Sequence, residues 1–426
     1  MFYVMTVMFC GCKKLLKITL WNLFWIVSFL TLATIYWNYN ENYSEVVNAS
    51  ENPLIIWWTD GFPGSAETKY CSNNIKCDVF TIGNQTKLHN VAAYLFYGSS
   101  INFDNLPLPR RPKDLIWGLY HEESPRNTEE LLSENVLQLF NFSATYSRYS
   151  DVHFPLQYLN SFEDITDTTY FVKTKDKDEL LNEIAPIMYL QSDCETSTER
   201  DLYVQELMKF IKIDSYGACL NNKHLPSKFK RDYLNNLNEE LFLKFIARYK
   251  FVISIENGVC EDYITEKFWR AIKVGSVPIY FGSPSIRDWL PNNKSAVLLE
   301  DYPSPKLMSE HLYKLLKNNN LYEEYLEHKI MQKISNRKLV EEFRSNPTQI
   351  DTLKTTNKFE CLICENIHDK INGKSAVNVV TKKHYNCPKP ISALTLKVNP
   401  NNNWVFSRDF AIEKANNIYN KIMNEH

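Results

Sequence analysis

Net charge is nearly absent from this chain: 48 Lys and Arg stand against 50 Asp and Glu over 426 residues, leaving −2 at neutral pH. Without a basic excess there is no electrostatic footprint for a phosphate backbone, so nucleic acid is set aside as a partner. No repeat of solenoid period runs through the sequence, and the Asn- and Lys-rich pieces near 318 and 400 read as surface. Lys and Arg are missing altogether between Lys17 and Lys69. Within that gap residues 18–37 are uncharged and mainly apolar, enough to cross a bilayer core of about 30 Å as one helix. Lys13, Lys14 and Lys17 precede it, so the positive-inside rule leaves residues 1–17 in the cytosol and the remainder in the lumen. No small-x-small site follows the apolar run, which argues for an uncleaved signal anchor.

What is present fits that topology. Asn42, Asn48, Asn84, Asn141 and Asn293 each open an Asn-x-Ser/Thr triplet beyond the span. Cys71, Cys77, Cys194, Cys219, Cys260, Cys361, Cys364 and Cys387 also lie beyond it, and an even number in an oxidising compartment reads as disulfides. Their pairing stays open. Cys361, Cys364, His384 and Cys387 have zinc-like spacing, but a lumenal location favours disulfides over a metal.

Residues 38–53 are polar, without apolar periodicity, and read as a stem. From Leu54 on, short apolar and β-branched runs recur: LIIWW at 54, DVFTIG at 78, AAYLFYG at 92 and DLIWGLY at 114. A second series (IMYL at 187, IDSYG at 213, FVISIEN at 251, SVPIYFG at 276, AVLLE at 296) alternates with helical patterns around 198–210, 239–249, 261–273 and 304–317. Strand and helix in alternation predict an α/β protein of two doubly wound, Rossmann-like parallel sheets, 54–180 and 181–345. The break is placed in the polar stretch 173–183, with a ligand cleft between the halves. Residues 346–426 read as an irregular tail carrying three of the cysteines.

The densest chemical signal runs from Phe251 to Gly282. A buried strand ends at Glu256-Asn257-Gly258, and a helix is expected to begin at Glu261-Asp262. The carboxyl end of a strand in an open α/β sheet faces the ligand crevice. Asn257, Tyr263, Glu266 and Lys267 would then line its mouth, with Tyr263 and Lys267 on one helical face. A cation beside a helix N-terminus makes a seat for a diphosphate. Asp176-Lys177-Asp178 has the form of a metal-binding triplet, but its Lys- and Asp-rich setting reads as a solvated charge run.

The run EDYITEKFWRAIKVGSVPIYFGSPSIRDWLPNN resembles the donor-binding signature of the α-1,3-fucosyltransferase family, glycosyltransferase family ten. HEESPRN at 121, LFNFSATYSRYSD at 139, YLQSDC at 189, RDLYVQELM at 200 and DSYGACL at 214 resemble further blocks of that family in the same order, so the likeness covers about 54 to 390. The HEESP, SPSIRDWLPNN and FECLIC pieces are most similar to the subgroup numbered ten and eleven, described as GDP-fucose protein O-fucosyltransferases of the endoplasmic reticulum acting on EMI-type domains.

The resemblance implies a GT-B architecture with an acceptor-binding first domain and a GDP-fucose-binding second one. It implies Glu123 as general base, Arg200 and Lys267 as the cations on the diphosphate, and Asn257, Tyr263 and Glu266 as contacts to nucleotide or fucose. Tyr216 and Gly217 border the guanosine side. Glu122 is the rival carboxylate, and only the motif selects Glu123. Ser192-Asp193 stands where the family often has Ser-Asn, so Asp193 is not counted as a donor ligand; Ile255 likewise replaces a common Phe.

The expected activity is therefore inverting transfer of L-fucose from GDP-fucose, without an essential divalent metal, to Ser or Thr of a folded Cys-rich protein domain. Transfer to the 3-hydroxyl of GlcNAc in a glycan is the alternative acceptor chemistry, and an inactive lumenal binding protein the alternative of another class. The expected location is the membrane of the endoplasmic reticulum or Golgi, type II, held by a single helix.

Overall fold

Fully buried parallel strands need apolar residues on both faces, and the strongest apolar runs do form them. The computed structural model describes residues 25, 27–34, 36, 52–59, 67–81, 91–110, 115–226, 229, 239–374 and 378–424. The first sheet has seven strands: β1 (Leu54–Trp57), β2 (Glu67–Tyr70), β3 (Lys76–Thr81), β4 (Val91–Tyr97), β5 (Ile116–His121), β6 (Phe142–Thr145) and β7 (Val152–His153). Their order is β2-β3-β1-β4-β5-β6-β7, all parallel except the β2–β3 pair.

The second sheet has five parallel strands: β8 (Ile187–Gln191), β9 (Ile213–Gly217), β10 (Phe251–Ile255), β11 (Val277–Phe281) and β12 (Val297–Leu298), in the order β12-β11-β10-β8-β9. Seven helices matter here: α1 (Thr174–Leu180), α2 (Arg200–Leu207), α3 (Glu240–Ile246), α4 (Glu266–Val274), α5 (Pro305–Lys317), α6 (Thr352–Ile371) and α7 (Asn403–Asn424). Strand order reverses between β8 and β10, the switch point at which a doubly wound sheet opens its ligand crevice.

The segment after residue 345 is not an irregular tail. Phe359, Ile363 and Ile367 recur every four residues along α6 and pack on Ile55, Trp57, Leu95 and Tyr120 of the first sheet. Each such side chain contributes about 1.5–3 kcal/mol by leaving water. Alternate residues of β5, Trp117 and Leu119, share a cluster with Ala415 and Ile422 of α7. The C-terminal helices thus complete the first half of the molecule. Cys71–Cys361 and Cys77–Cys364 fasten α6 to it, while Cys194–Cys219 and Cys260–Cys387 close the other pairs. The three cysteines of the zinc-like spacing are all taken up in these disulfides, and His384 Nδ1 meets the Ser143 hydroxyl.

The passage between halves also comes earlier than 180. Phe154 belongs to the first sheet's core, whereas Leu156, Leu159 and Ile165 already pack against Phe268, Trp269 and Ile272 of α4. The Asp176–Asp178 triplet is not a solvated run. Lys177 is fully buried, its ammonium donating to the carbonyls of Tyr249 at 2.9 Å and Gly275 at 2.8 Å, and Asp178 accepts from Asn319 at 2.7 Å and pairs with Lys250. The expected span over 18–37 falls mostly outside the described residues. Among the described residues no helix is long and apolar enough to cross a membrane.

Candidate active site

The helix that carries Lys267 starts later than its sequence pattern suggests. Asp262 takes a left-handed backbone (φ 64°), which breaks any helix begun at Glu261. Thr265 then caps α4, and Gly275 ends it at φ +68°, where an added Cβ would fall 2.4 Å from the Phe171 ring. Tyr263 therefore precedes the helix, and the reading that put it on one helical face with Lys267 is corrected.

Glu123 leaves the carboxyl end of β5 half-buried. Its Oε2 accepts from the Tyr263 hydroxyl at 2.7 Å, and its Oε1 from the Tyr158 hydroxyl at 3.2 Å. Glu122 turns elsewhere, to the Tyr97 hydroxyl. Burial raises the Glu122 pKa against the pull of that phenol, and its Oε2 has no hydrogen-bond partner. Neighbours on one turn thus face different surroundings, a separation that spacing could not supply.

Opposite Glu123 stands the second half's polar cluster. The Lys267 ammonium lies 3.0 Å from Thr265 Oγ1, 3.1 Å from Glu266 Oε1 and 3.6 Å from Glu256 Oε2. Burial works against its charge, but Glu266 and Glu256 outweigh that and raise its pKa, with Arg200 opposing and Glu123 assisting. Lys267 is thus within electrostatic reach of both Arg200 and Glu123. Burial would raise the Glu266 pKa, yet Lys267 and Arg270 bring it down to about 2, so it is ionised at any working pH.

Glu256 is fully buried and pushed up to about 7, chiefly by desolvation, while it accepts from Thr265 N–H at 2.8 Å and Thr265 Oγ1 at 2.7 Å. Gly282, the glycine ending the VPxxxG strand, must lack a side chain because a Cβ would fall 2.5 Å from Glu256 Cγ.

Arg200 opens α2 almost fully buried. Its guanidinium donates to the carbonyls of Asp193 and, at 3.4 Å, Ile255, leaving Nε without a partner. Asp193 thus orients Arg200, and its carboxylate also takes Arg126 at 2.9 Å. Asn257 is placed by Ser124, whose hydroxyl donates to its Oδ1 at 3.1 Å across the two halves.

Tyr216 lies apart from this cluster. Its ring packs on Phe245, and its hydroxyl and that of Tyr249 share a 2.7 Å hydrogen bond, so the side chain is used for packing. Gly217 has φ +87°, and a Cβ there would meet the Gln191 carbonyl at 2.2 Å. Close backbone approach explains that glycine.

Glu123 of the first half thus lies within electrostatic reach of Lys267 of the second, which also feels Arg200. Residues 50–157 match the family described as "Fucosyltransferase, N-terminal", and residues 180–383 match "Glycosyltransferase family 10 (fucosyltransferase) C-term". The chain belongs to the glycosyltransferase family 10 fucosyltransferases.

This fucosyltransferase is 40% identical over 349 residues to the human protein named GDP-fucose protein O-fucosyltransferase 3, covering 79% of the chain and 71% of that relative. The rat protein of the same name is 40% identical over 325 residues, covering 75% of the chain and 66% of the relative. Alpha-(1,3)-fucosyltransferase B of Drosophila melanogaster is 40% identical over 375 residues, with 85% and 82% covered. A crystal structure of an alpha1,3-fucosyltransferase with GDP superposes with a TM-score of 0.45 at 17% identity, over 75% of this chain and 92% of that one.

Of the five sequons, Asn42, Asn48 and Asn84 lie outside the described residues. Asn293 is exposed. Asn141 is buried: its Oδ1 accepts from Arg110 at 2.7 Å and Trp117 N–H at 2.9 Å, and its amide donates to the Asn378 carbonyl. A glycan on Asn141 is incompatible with this fold, which corrects its place among the expected sites.

Sequence reasoning missed Tyr158, Ser124 and Glu256. Only Glu256, beside Asn257 at a strand end, carried a local signal.

Proposed function

We propose that this enzyme moves L-fucose from GDP-fucose to a Ser or Thr hydroxyl on a folded, Cys-rich protein domain, with inversion. The observation that carries the reading is Lys267 of the second half, within electrostatic reach of Glu123 of the first and of Arg200. Departure of GDP leaves an oxocarbenium-like sugar, and the acceptor hydroxyl attacks from the opposite face. Glu123 takes that hydroxyl's proton, a contribution of roughly 10² to 10⁴-fold. Negative charge growing on the leaving β-phosphate is met by Arg200, through its planar donors, and by Lys267 as a point charge. Those two cations supply the charge that a divalent metal supplies elsewhere, so activity is expected to survive chelation. Asn257, held by Ser124, and Glu266 face the nucleotide sugar in this reading.

The paired sheets support a GT-B arrangement, acceptor on the first and donor on the second. The apolar run 18–37 with its preceding lysines supports a single-pass type II membrane protein of the endoplasmic reticulum or Golgi. Protein acceptors are favoured by the mammalian relatives' printed names; the fly relative's name favours a second reading, α-1,3 transfer to GlcNAc. The lumenal fragment, GDP-fucose and a panel of folded Cys-rich domains and glycans, read by intact mass, distinguish the two. Added fucose that stays on the polypeptide after N-glycan release supports the proposal, and fucose lost with the glycan refutes its acceptor.

A further inference from the structure

A carboxylate that must collect a proton from a passing hydroxyl has to be held in one rotamer, and Glu123 is held by two phenols. Tyr158 lies in the stretch that follows β7; Tyr263 belongs to the loop after β10. The two phenols take one carboxylate oxygen each, at 3.2 and 2.7 Å. An ionised carboxylate has about four lone-pair sites, so two remain for the acceptor hydroxyl. We infer that Tyr263, together with Tyr158, is a positioning residue for the general base, spending its hydroxyl on Glu123 rather than on the sugar nucleotide. The inference rests on the reading of Glu123 as base.

The surroundings support it. Tyr263 is 1% exposed, its ring 4.9 Å from that of Tyr146, so ring and hydroxyl have one orientation. Burial raises the pKa of both phenols well above the ordinary value, Glu123 adding to the effect, so both stay protonated and act as donors throughout the working range. The other groups facing Glu123 are Glu122 on its own turn, Tyr97 of β4, Tyr146 after β6 and Lys267 of α4. None of these donates to the Glu123 carboxylate among the described contacts. Because Tyr158 packs with the second half and Tyr263 comes from its loop, while Glu123 follows a strand of the first, the base is aligned only where the halves meet.

Tyr263→Phe keeps the ring and removes the donor. In the active lumenal protein it should lower kcat by an order of magnitude or more, through a loosened base. It should leave the KM for GDP-fucose within about twofold, as expected of an interaction that does not bind the donor. Tyr158→Phe should lower kcat by less, again with KM for GDP-fucose unchanged, and it serves as the second variant if Tyr263→Phe folds poorly. A Tyr263→Phe protein with raised KM for GDP-fucose and an unchanged kcat would overturn the inference and return Tyr263 to the donor. Absence of transfer in the parent protein would instead defeat the functional reading itself.

Discussion

Arg148 and Asp262 join the two halves of the molecule one residue before Tyr263. The Arg148 guanidinium closes on both carboxylate oxygens, Nη2 to Oδ1 at 2.6 Å and Nε to Oδ2 at 2.9 Å, and the Arg148 backbone N–H donates to Oδ2 at 3.0 Å. Asp262 is fully buried and also accepts from Ser285 Oγ and Trp289 Nε1. Its left-handed backbone is thereby held in place, and with it the loop that delivers Tyr263.

Removing Arg148 leaves a buried carboxylate without its cation, which costs about 3–5 kcal/mol. Arg148→Ala should therefore lower urea stability by that order and also reduce kcat. Arg148→Lys should recover little of either, since an ammonium cannot reproduce the two-pronged contact. Equilibrium unfolding and steady-state kinetics on the two variants check both statements.

Glu256 predicts a pH dependence of stability. Burial lifts its pKa from the ordinary 4.5 to about 7, so the folded protein holds a proton that the unfolded chain releases. The favourable contribution is present below pH 4.5 and is lost as pH rises through 7. Between pH 5 and pH 8 the loss is about 2 kcal/mol. Glu256→Gln, which stays neutral, should flatten the profile by about that amount in urea titrations at the two pH values.

How much of this was legible beforehand follows from where each signal resides. The nine apolar runs became β1, β3, β4, β5 and β8 to β12 because a buried parallel strand writes its environment into consecutive residues. β2 (ETKY) and β6 (FSAT) carry polar residues, satisfied by partners outside the strand such as Asp78 for Thr68, Asp151 for the Ser143 N–H and the remote His384 carbonyl for Thr145. No local pattern reports that. Helices α6 and α7 were obscured by Asn and Lys on their outer faces, although Phe359, Ile363 and Ile367 show the helical period once sought.

At the site, Glu123, Arg200 and Lys267 were reached through a family resemblance; Lys267 lies within electrostatic reach of the other two. Tyr158 and Arg148 were out of reach because each acts through a partner remote in sequence, as Tyr158 does with Glu123. Tyr263 was expected at the donor from the family motif; what the Asp262 backbone rules out is the helical face shared with Lys267.

The disulfide between Cys77 and Cys364 fastens α6 to β3 with both cysteines fully buried. Replacing both by Ala should cost about 2–5 kcal/mol, towards the lower end while the neighbouring Cys71–Cys361 bridge survives. Thermal unfolding of the double variant, compared with parent protein under reducing conditions, checks the size and shows whether the two bridges act together.

Glycan mapping offers a test that needs no substitution. Asn293 is exposed and should be accessible to glycan, whereas buried Asn141, engaged by Arg110 and Trp117, should be bare in all folded material. Peptide mass spectrometry after peptide N-glycosidase treatment in heavy-oxygen water, which turns each glycosylated Asn into labelled Asp, reads both positions. Modification of Asn141 in active enzyme would contradict the first half's packing.

The most direct test is Glu123→Gln, measured for transfer and for GDP-fucose affinity on the same preparation. Glutamine keeps the shape but cannot accept the proton, so transfer should fall by about 10² to 10⁴-fold while GDP-fucose affinity changes less than threefold. Near-normal transfer in Glu123→Gln, or a loss of transfer matched by a loss of donor binding, would contradict a base in the first half working against cations in the second.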